Sequence, residues 1–193
     1  MKQGFVKVAS ATPRIRVADP VYNAQVICEQ AKEAAEHGAK IVVFPELCIT
    51  GYTCNDLFLQ ELLLEKAKEA LLTIAEETGQ LETLFLVGLP VDKDGRLYNV
   101  AAVLYRGRIL GMIPKKNIPM YAEFYEGRHF TPGEETVTEY RLGKQVIPFG
   151  SNLLFRCEEL PELVLGCELC EDLWVAEPPS TSHALMGATV IAN

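Results

Sequence analysis

The chain has few of the residues that mark several large functional classes. Its 193 residues include one tryptophan and three histidines, and its formal net charge of −8 comes without any cluster of lysine and arginine. This acidic balance disfavours nucleic acids and anionic membranes as partners, because both select for basic surfaces. No segment approaches the roughly 18 continuous apolar residues that a membrane-spanning helix needs.

Export signals and a disulfide framework are also missing. The opening "MKQGFVKVAS" has a lysine but lacks the apolar core of a signal peptide. Six cysteines are too few to cross-link a secreted fold of this size. We therefore interpret them as reduced thiols and predict a cytoplasmic protein. The length and the apolar fraction of 49% are those of one globular domain or of part of a larger one.

The first part of the chain alternates strand and helix patterns. A β pattern at 5–10 precedes a helix that begins after Asp19, and a continuous apolar run at 40–47 predicts a buried strand. A second helix is predicted from a cap at Asp56 to a stop at Gly79. Its predicted inner face consists of Leu59, Leu62, Leu63, Ala70, Leu71 and Ile74.

The middle of the chain consists mainly of hairpin strands, with a polar, aromatic-rich loop at 115–135. The predicted strands are 84–91, 97–105, 109–114, 136–140, 145–149, 153–157 and 163–169. A helix at 178–187 and a strand at 189–193 complete the pattern. This order predicts an α/β (α+β) fold with sheets stacked in the middle and helices outside. Since nothing follows the last strand to cover it, we interpret the chain as a fragment.

Chemically useful side chains follow two of these strands. Glu46 comes directly after "VVFP", where poor hydration would raise the pKa of its carboxyl and suit it to general base catalysis. Lys115 and Lys116 come after "GMIP", and one lysine there could stabilise an oxyanion. The alternatives are a solvated loop acid and a pair of lysines exposed in a turn.

The two cysteines near the end of the chain differ in their expected settings. Cys167 and Cys170 are three positions apart, so in an extended strand they face opposite sides, which disfavours a disulfide or a shared metal. Cys167 is predicted to be a core thiol, whereas Cys170 lies where the chain turns and could serve as a nucleophile. A dithiol redox pair remains an alternative. His183 is predicted to lie on a surface helix without a catalytic role.

The segments "VVFPELCITGY", "PKKNIP", "FYEGRHF" and "CEDLW" occur in the order and spacing found in one enzyme superfamily. With them the chain resembles the nitrilase (carbon–nitrogen hydrolase) superfamily along its whole length. The resemblance implies a nitrilase-like αββα four-layer sandwich, truncated at its C-terminal end, with residues 1–193 as the N-terminal part of the amidohydrolase domain. Within the superfamily, "IPMYAEFYEGRHF" and "CEDLWVAEPPS" are similar to the glutaminase domains of the glutamine-dependent NAD⁺ synthetases.

The resemblance implies a role for several residues. The catalytic triad would consist of Glu46 as the base, Lys115 as the catalytic lysine and Cys170 as the nucleophile. Glu126 would support the site, and the backbone N–H of Glu171 would donate to the oxyanion. The residues expected to line the amide pocket are Tyr52, Tyr121 and Phe130. The resemblance implies no metal.

The implied reaction is hydrolysis of the glutamine side-chain amide through a cysteine thioester. The ammonia would pass to an ATP-dependent synthetase domain, absent from this sequence, which amidates deamido-NAD⁺ to NAD⁺. The hydrolase part would need no cofactor, and ATP, Mg²⁺ and deamido-NAD⁺ would bind only the synthetase domain. Expected partners are glutamine, that domain and further copies in a homo-oligomer. The alternatives are a free-standing amidase or carbamoylase and a non-catalytic module with a nitrilase fold.

Overall fold

The computed structural model describes residues 4–193, which form two β-sheets and three α-helices. The larger sheet has the order β1-β2-β3-β4-β5-β7-β6, with β1 (Val8–Ser10), β2 (Ile41–Val43), β3 (Leu84–Lys93), β4 (Arg96–Tyr105), β5 (Arg108–Pro114), β6 (Thr138–Leu142) and β7 (Gln145–Phe149). The smaller sheet has the order β10-β9-β8, with β8 (Leu154–Arg156), β9 (Val164–Cys167) and β10 (Val190–Ala192). The helices are α1 (Pro20–Glu36), α2 (Glu61–Glu77) and α3 (Pro179–Leu185).

The two faces of the larger sheet contact different layers, because successive strand residues point to opposite sides. On the outer face, Val42 packs with Ile27 of α1 and Leu71 of α2 in one buried cluster. On the inner face, Ile41 packs in a second cluster with Leu165 of the smaller sheet. Helix α3 lies against the outer face of the smaller sheet, so the layers run α-β-β-α. This confirms the predicted sandwich of sheets with helices outside.

His183 of α3 corrects one sequence-based prediction, because its side chain is fully buried and not exposed on a surface helix. The imidazole Nε2 lies 2.9 Å from the carbonyl oxygen of Ser151. A Cβ added at Gly166 of β9 would lie 2.9 Å from His183 Nδ1. The histidine therefore fills the space that the glycine leaves between α3 and the smaller sheet.

Strand β2 is shorter than the predicted run at 40–47 and ends at Val43. Phe44 still donates its N–H to the carbonyl oxygen of Leu86, but Pro45 has no N–H to continue the ladder. The chain then turns, and Gly51 N–H donates to the carbonyl oxygen of Leu47. Glu46 therefore lies in a turn beyond the strand end and not within the strand.

The start of the second helix was predicted wrongly. Residues 52–59 form a 3₁₀ segment, kinked where Asn55 adopts a φ of 50°, and α2 begins only at Glu61. Asp56 caps no helix, because its carboxylate accepts hydrogen bonds from the Arg128 guanidinium and lies 3.0 Å from His129 Nε2. As a consequence two of the six residues predicted to face inward are exposed, namely Leu59 and Leu62.

Within residues 4–193 no helix combines the length and apolar character needed to cross a membrane.

Candidate active site

A fully buried lysine between two carboxylates forms the centre of the candidate site. Lys115 directly follows β5, and its Nζ lies 2.7 Å from Glu46 Oε1 and 2.7 Å from Glu126 Oε1. The side chain of Lys115 is 0% exposed, while those of Glu46 and Glu126 are 16% and 5% exposed. Burying these charges is tolerable only because each has a charged partner within hydrogen-bonding distance.

Two uncharged side chains also donate hydrogen bonds to the two glutamates. Asn99, a fully buried residue of β4, places its Nδ2 2.6 Å from Glu46 Oε1 and 3.5 Å from Glu126 Oε2. The hydroxyl of Tyr52 donates to Glu126 Oε1 at 2.8 Å. Glu126 thus accepts from three side chains, two of them at Oε1, which suits a group that supports the site.

The two oxygens of Glu46 are in different situations. Oε1 accepts from both Lys115 and Asn99, whereas no hydrogen bond within residues 4–193 engages Oε2. Burial raises the pKa of the Glu46 carboxyl above its ordinary value, although Lys115 opposes the rise. For Lys115, burial alone would lower the pKa of the ammonium, but the carboxylates of Glu46 and Glu126 raise it overall. The pair is therefore a carboxylate with one free oxygen and a lysine held in its charged form.

Cys170 begins the 3₁₀ turn that follows β9, and its φ of 45° lies in the left-handed region. Such a conformation is costly for a residue with a Cβ and persists only when its surroundings enforce it. Burial raises the pKa of the Cys170 thiol, with Glu46 contributing in the same direction and Lys115 opposing. Cys170 is therefore a thiol at neutral pH and needs a base in order to act as a nucleophile.

Asp172 fixes this turn against the segment that carries the lysine. Its carboxylate, 1% exposed, accepts from the backbone N–H of Asn117 at 2.7 Å and from Asn117 Nδ2 at 2.9 Å. It also accepts from the backbone N–H groups of Leu169 at 3.1 Å and Lys116 at 3.2 Å. One buried carboxylate thus joins the ends of β5 and β9 and holds Cys170 close to Lys115.

We expect Asp172→Ala to lower the free energy of unfolding by about 3 kcal/mol, because it leaves several buried N–H groups unpaired. The displaced turn should also slow the reaction of Cys170 about 100-fold, the usual cost of a small misplacement. Urea unfolding and the rate of thiol alkylation measure the two effects. The control is Asp92→Ala, which removes a half-exposed partner of Lys68 and should change neither quantity appreciably. An Asp172→Ala variant as stable and reactive as the unaltered chain would contradict this role.

The remaining sequence-predicted residues lie around this centre in three different ways. Tyr121, about half exposed, donates its hydroxyl to Glu171 Oε2 at 2.7 Å, so these two form one pair beside the Cys170 turn. Tyr52 contacts the centre directly through Glu126. Phe130 is buried in a separate cluster, where its ring lies 5.0 Å from that of Phe58. Phe130 thus packs behind the loop that carries Glu126.

A cavity of about 280 Å³ opens between the two sheets beside Glu46. Its lining includes Ser10, Phe44, Glu46, Ala101, Cys170 and Asn193. The base and the thiol therefore face one space of a size suited to a small substrate. Among residues 4–193, no three or more His, Cys, Asp or Glu side chains are grouped so that they could bind a metal ion.

Cys167 and Cys170 occupy different environments and are both free thiols. Cys167 is 3% exposed and packs among the residues between the sheets, which confirms the prediction of a core thiol. Burial raises the pKa of the Cys167 thiol to about 12. Such a thiol stays protonated at neutral pH. Cys167 also lines the cavity beside Glu46, but it is buried whereas Cys170 is partly exposed.

Sequence reasoning missed Asn99 and gave Asp172 no supporting role. Asn99 occurs in "LYNVAAVLY", where a polar residue in an otherwise apolar strand was an available indication of a special role. Asp172 occurs in "CEDLW", and nothing in that stretch shows which of its two acids is buried. Both roles depend on contacts with distant parts of the chain.

The sequence of this chain matches a known family. The model of the carbon-nitrogen hydrolase family matches residues 7–193. The chain belongs to this family. Its four layers and its glutamate, lysine and cysteine positions can therefore be compared with those of other carbon–nitrogen hydrolases.

The relatives of this carbon–nitrogen hydrolase chain include much longer proteins. It is 42% identical over 192 residues to a glutamine-dependent NAD(+) synthetase from Mycobacterium tuberculosis, covering all of this chain and 28% of that protein. A crystal structure of such a synthetase from Cytophaga hutchinsonii matches with a TM-score of 0.84 and 28% identity, covering 96% of this chain and 30% of the other. An amidase from Nesterenkonia sp. AN1 shares the fold, with a TM-score of 0.74 at 20% identity, over 96% of this chain and 63% of the amidase. The chain thus spans under a third of the synthetases.

Proposed function

We propose that this chain is the glutaminase part of a glutamine-dependent NAD⁺ synthetase. The observation that carries the proposal is the buried Lys115 between Glu46 and Glu126, with Cys170 on the same cavity as Glu46. Similarity to synthetases along the whole chain supports glutamine as the substrate. We propose that Tyr52 and Tyr121 line the amide pocket. Phe130, which the sequence also assigned to this wall, is buried in a separate cluster and is proposed to support the loop that carries Glu126.

In the first step, Cys170 Sγ attacks the side-chain amide carbon of glutamine while Glu46 Oε2 accepts the thiol proton. The carbonyl oxygen becomes an oxyanion, which the Lys115 ammonium and the backbone N–H of Glu171 stabilise. When this tetrahedral species collapses, the C–N bond breaks and Glu46 returns the proton to the leaving nitrogen. The products are ammonia and a glutamyl thioester on Cys170.

In the second step, Glu46 accepts a proton from a water molecule as that water attacks the thioester carbonyl. The same donors stabilise the second oxyanion, the C–S bond breaks, and the proton passes from Glu46 to the departing thiolate. Glutamate leaves and the thiol is restored, so no net proton remains on the enzyme. The raised pKa of Glu46 suits general base catalysis, because a stronger base accepts a thiol proton more readily.

The magnitudes indicate that all three groups must act together. A positioned general base contributes roughly 10²- to 10⁴-fold to the rate. One oxyanion donor contributes about 3 kcal/mol. Neither alone reaches the ~10⁶-fold acceleration at the lower end of enzymatic rates. The base, the lysine and the nucleophile are therefore proposed to form a single unit whose protonation states are coupled.

The proposal extends to the protein of which this chain would be a part. The ammonia would pass to a synthetase domain that uses ATP and Mg²⁺ to amidate deamido-NAD⁺. Residues 1–193 would then be the N-terminal part of the hydrolase domain, in a cytoplasmic homo-oligomer. The length of the related synthetases supports a further domain, since the chain spans 28% of the mycobacterial protein.

The direct test is covalent labelling with 6-diazo-5-oxo-L-norleucine, a reactive glutamine analogue. We expect mass spectrometry to find one adduct, on Cys170, whose formation is blocked by excess glutamine, because this thiol shares the cavity of Glu46 and, unlike Cys167, is partly exposed. Cys167→Ala is the matched control, and it should leave the labelling rate within about three-fold, since a buried thiol without a base is unreactive.

Two outcomes would contradict the proposal. An adduct on Cys167, or a large loss of labelling in Cys167→Ala, would favour the dithiol pair. Labelling of Cys170 by iodoacetamide that glutamine does not block, without any adduct from the glutamine analogue, would favour an amidase for another small amide. The iodoacetamide experiment should be repeated on a protein that also carries the proposed synthetase domain.

A further inference from the structure

Asn99 is the buried polar residue of the site to which no role has been assigned so far. It lies in the central strand β4 with a side chain that is 0% exposed. Its Nδ2 lies 2.6 Å from Glu46 Oε1, and its backbone oxygen accepts the N–H of Lys115 at 2.8 Å. A carboxylate oxygen can only accept here, so the amide nitrogen must face Glu46.

The carbonyl oxygen of the Asn99 side chain indicates that the residue is needed for its amide donor. Asn99 Oδ1 is buried and has no hydrogen-bond partner within residues 4–193. An unpaired buried carbonyl destabilises the folded state, and an apolar side chain of similar size, such as leucine, would avoid that cost. The position therefore favours asparagine for its contact with Glu46 and not for packing.

From these contacts we infer that Asn99 is a positioning residue that holds Oε1 of Glu46 and so reserves Oε2 for proton transfer. Lys115 and Asn99 approach the same oxygen, at 2.7 and 2.6 Å, and this fixes the rotation of the carboxyl group. Without Asn99, Lys115 alone would hold Glu46, and either oxygen could rotate towards it. The inference rests on the proposed role of Glu46 as the base.

The same hydrogen bond determines how Glu46 titrates. The donor favours the carboxylate form, so removing it raises the pKa of Glu46 further, beyond the effect of burial. The acid limb of any reaction that needs the Glu46 carboxylate should then move to higher pH. The titratable groups that face Glu46 are Lys115 after β5, Glu126 in its 3₁₀ turn (Glu126–Arg128), Cys170 after β9 and Tyr52 through its contact with Glu126.

The test is the pH dependence of alkylation of Cys170 by iodoacetamide, followed by mass spectrometry in Asn99→Leu and in the unaltered chain. We expect the acid limb to move up by about one pH unit, so that the rate at any fixed pH on that limb falls about ten-fold, as loss of a hydrogen bond to a charged group implies. The control, Thr83→Val, removes a buried hydrogen bond to Ala39, far from the site, and should leave the profile unchanged. An acid limb of Asn99→Leu that coincides with the unaltered one would overturn the inference.

A second measurement needs no variant, and so it decides the matter even if Asn99→Leu fails to fold. In nuclear magnetic resonance spectra of the unaltered chain, the Asn99 side-chain amide protons should shift at the midpoint of the alkylation acid limb. An amide resonance that stays constant through that midpoint would show that Asn99 does not sense Glu46. Iodoacetamide does not depend on glutamine, so failure here is distinct from failure of labelling by the glutamine analogue.

Discussion

Cys170→Ala should reduce glutamine hydrolysis to the uncatalysed background, the largest effect that any single substitution in this chain should have. The thioester cannot form without the thiol, and Cys170 lies on the cavity that Glu46 lines. In a protein that also carries the synthetase domain, NAD⁺ formation from added ammonium salts should persist. Two assays separate the activities. One measures the release of ammonia from glutamine, and the other measures NAD⁺ formation from glutamine or from ammonium salts.

The controls for this prediction separate chemistry from folding. Cys167→Ala lies three positions away and should retain hydrolysis within about three-fold, because its thiol belongs to the core between the sheets. If Cys170→Ala abolished synthesis from ammonium as well as from glutamine, two separate sites would be ruled out. If Cys170→Ala retained glutamine hydrolysis, the proposed nucleophile would be wrong.

Lys115→Met should have the largest effect on stability. Removing the ammonium leaves the carboxylates of Glu46 and Glu126 without a positive partner in a buried site. Breaking a buried charge pair from one side costs about 3–5 kcal/mol. Activity should fall by at least 10²-fold, because an oxyanion donor is lost together with the geometry of the base. Urea unfolding at neutral pH and the rate of Cys170 labelling measure these losses.

The pH dependence of this variant follows from the sign of the shift at Glu46. Without Lys115, burial raises the pKa of Glu46 in the folded state even further above its unfolded value. A carboxyl whose pKa is higher in the folded state opposes folding as it ionises. The loss in free energy of unfolding in Lys115→Met should therefore grow as the pH rises through the pKa of Glu46 in the folded state, and shrink at lower pH. A deficit that is constant with pH would show that the lost stability is not electrostatic.

The neighbouring lysine offers a matched control. Lys116 directs its Nζ to Glu135 at the surface and contributes to the site only through its backbone N–H. Lys116→Met should therefore leave both the free energy of unfolding and the labelling rate nearly unchanged, as expected for an exposed ion pair. Equal effects of the two substitutions would mean that the assignment of Lys115 as the catalytic lysine is wrong.

The local sequence pattern predicted the helices and strands well wherever an element buries one continuous face. Helix α1 begins after Asp19, whose carboxylate accepts from the N–H of Tyr22, as the capping pattern indicated. Prediction failed at the start of α2, where Asp56 resembled a cap. Its actual partners, Arg128 and His129, are more than 70 positions away in the chain, so no local rule could favour them over a helix N-terminus.

The site shows the same division between local and distant information. The residue types at Glu46, Lys115 and Cys170 were recognisable because each follows an apolar strand, where a polar group needs an explanation. Which lysine is buried was not decided by that pattern, since two adjacent lysines share it. Only the packing of the loop that carries Glu126 shows that Lys115 points inward, while Lys116 reaches the surface.

By itself the sequence determined the order of helices and strands, the acidic balance, the separate settings of the two cysteines and the motifs that place the chain among the carbon–nitrogen hydrolases. These depend on residue types and on spacing within short windows. Tertiary structure alone decided that Asn99 and Asp172 belong to the site and that His183 is buried. Each of these depends on hydrogen bonds between residues far apart in the chain, and such contacts exist only once the layers have packed together.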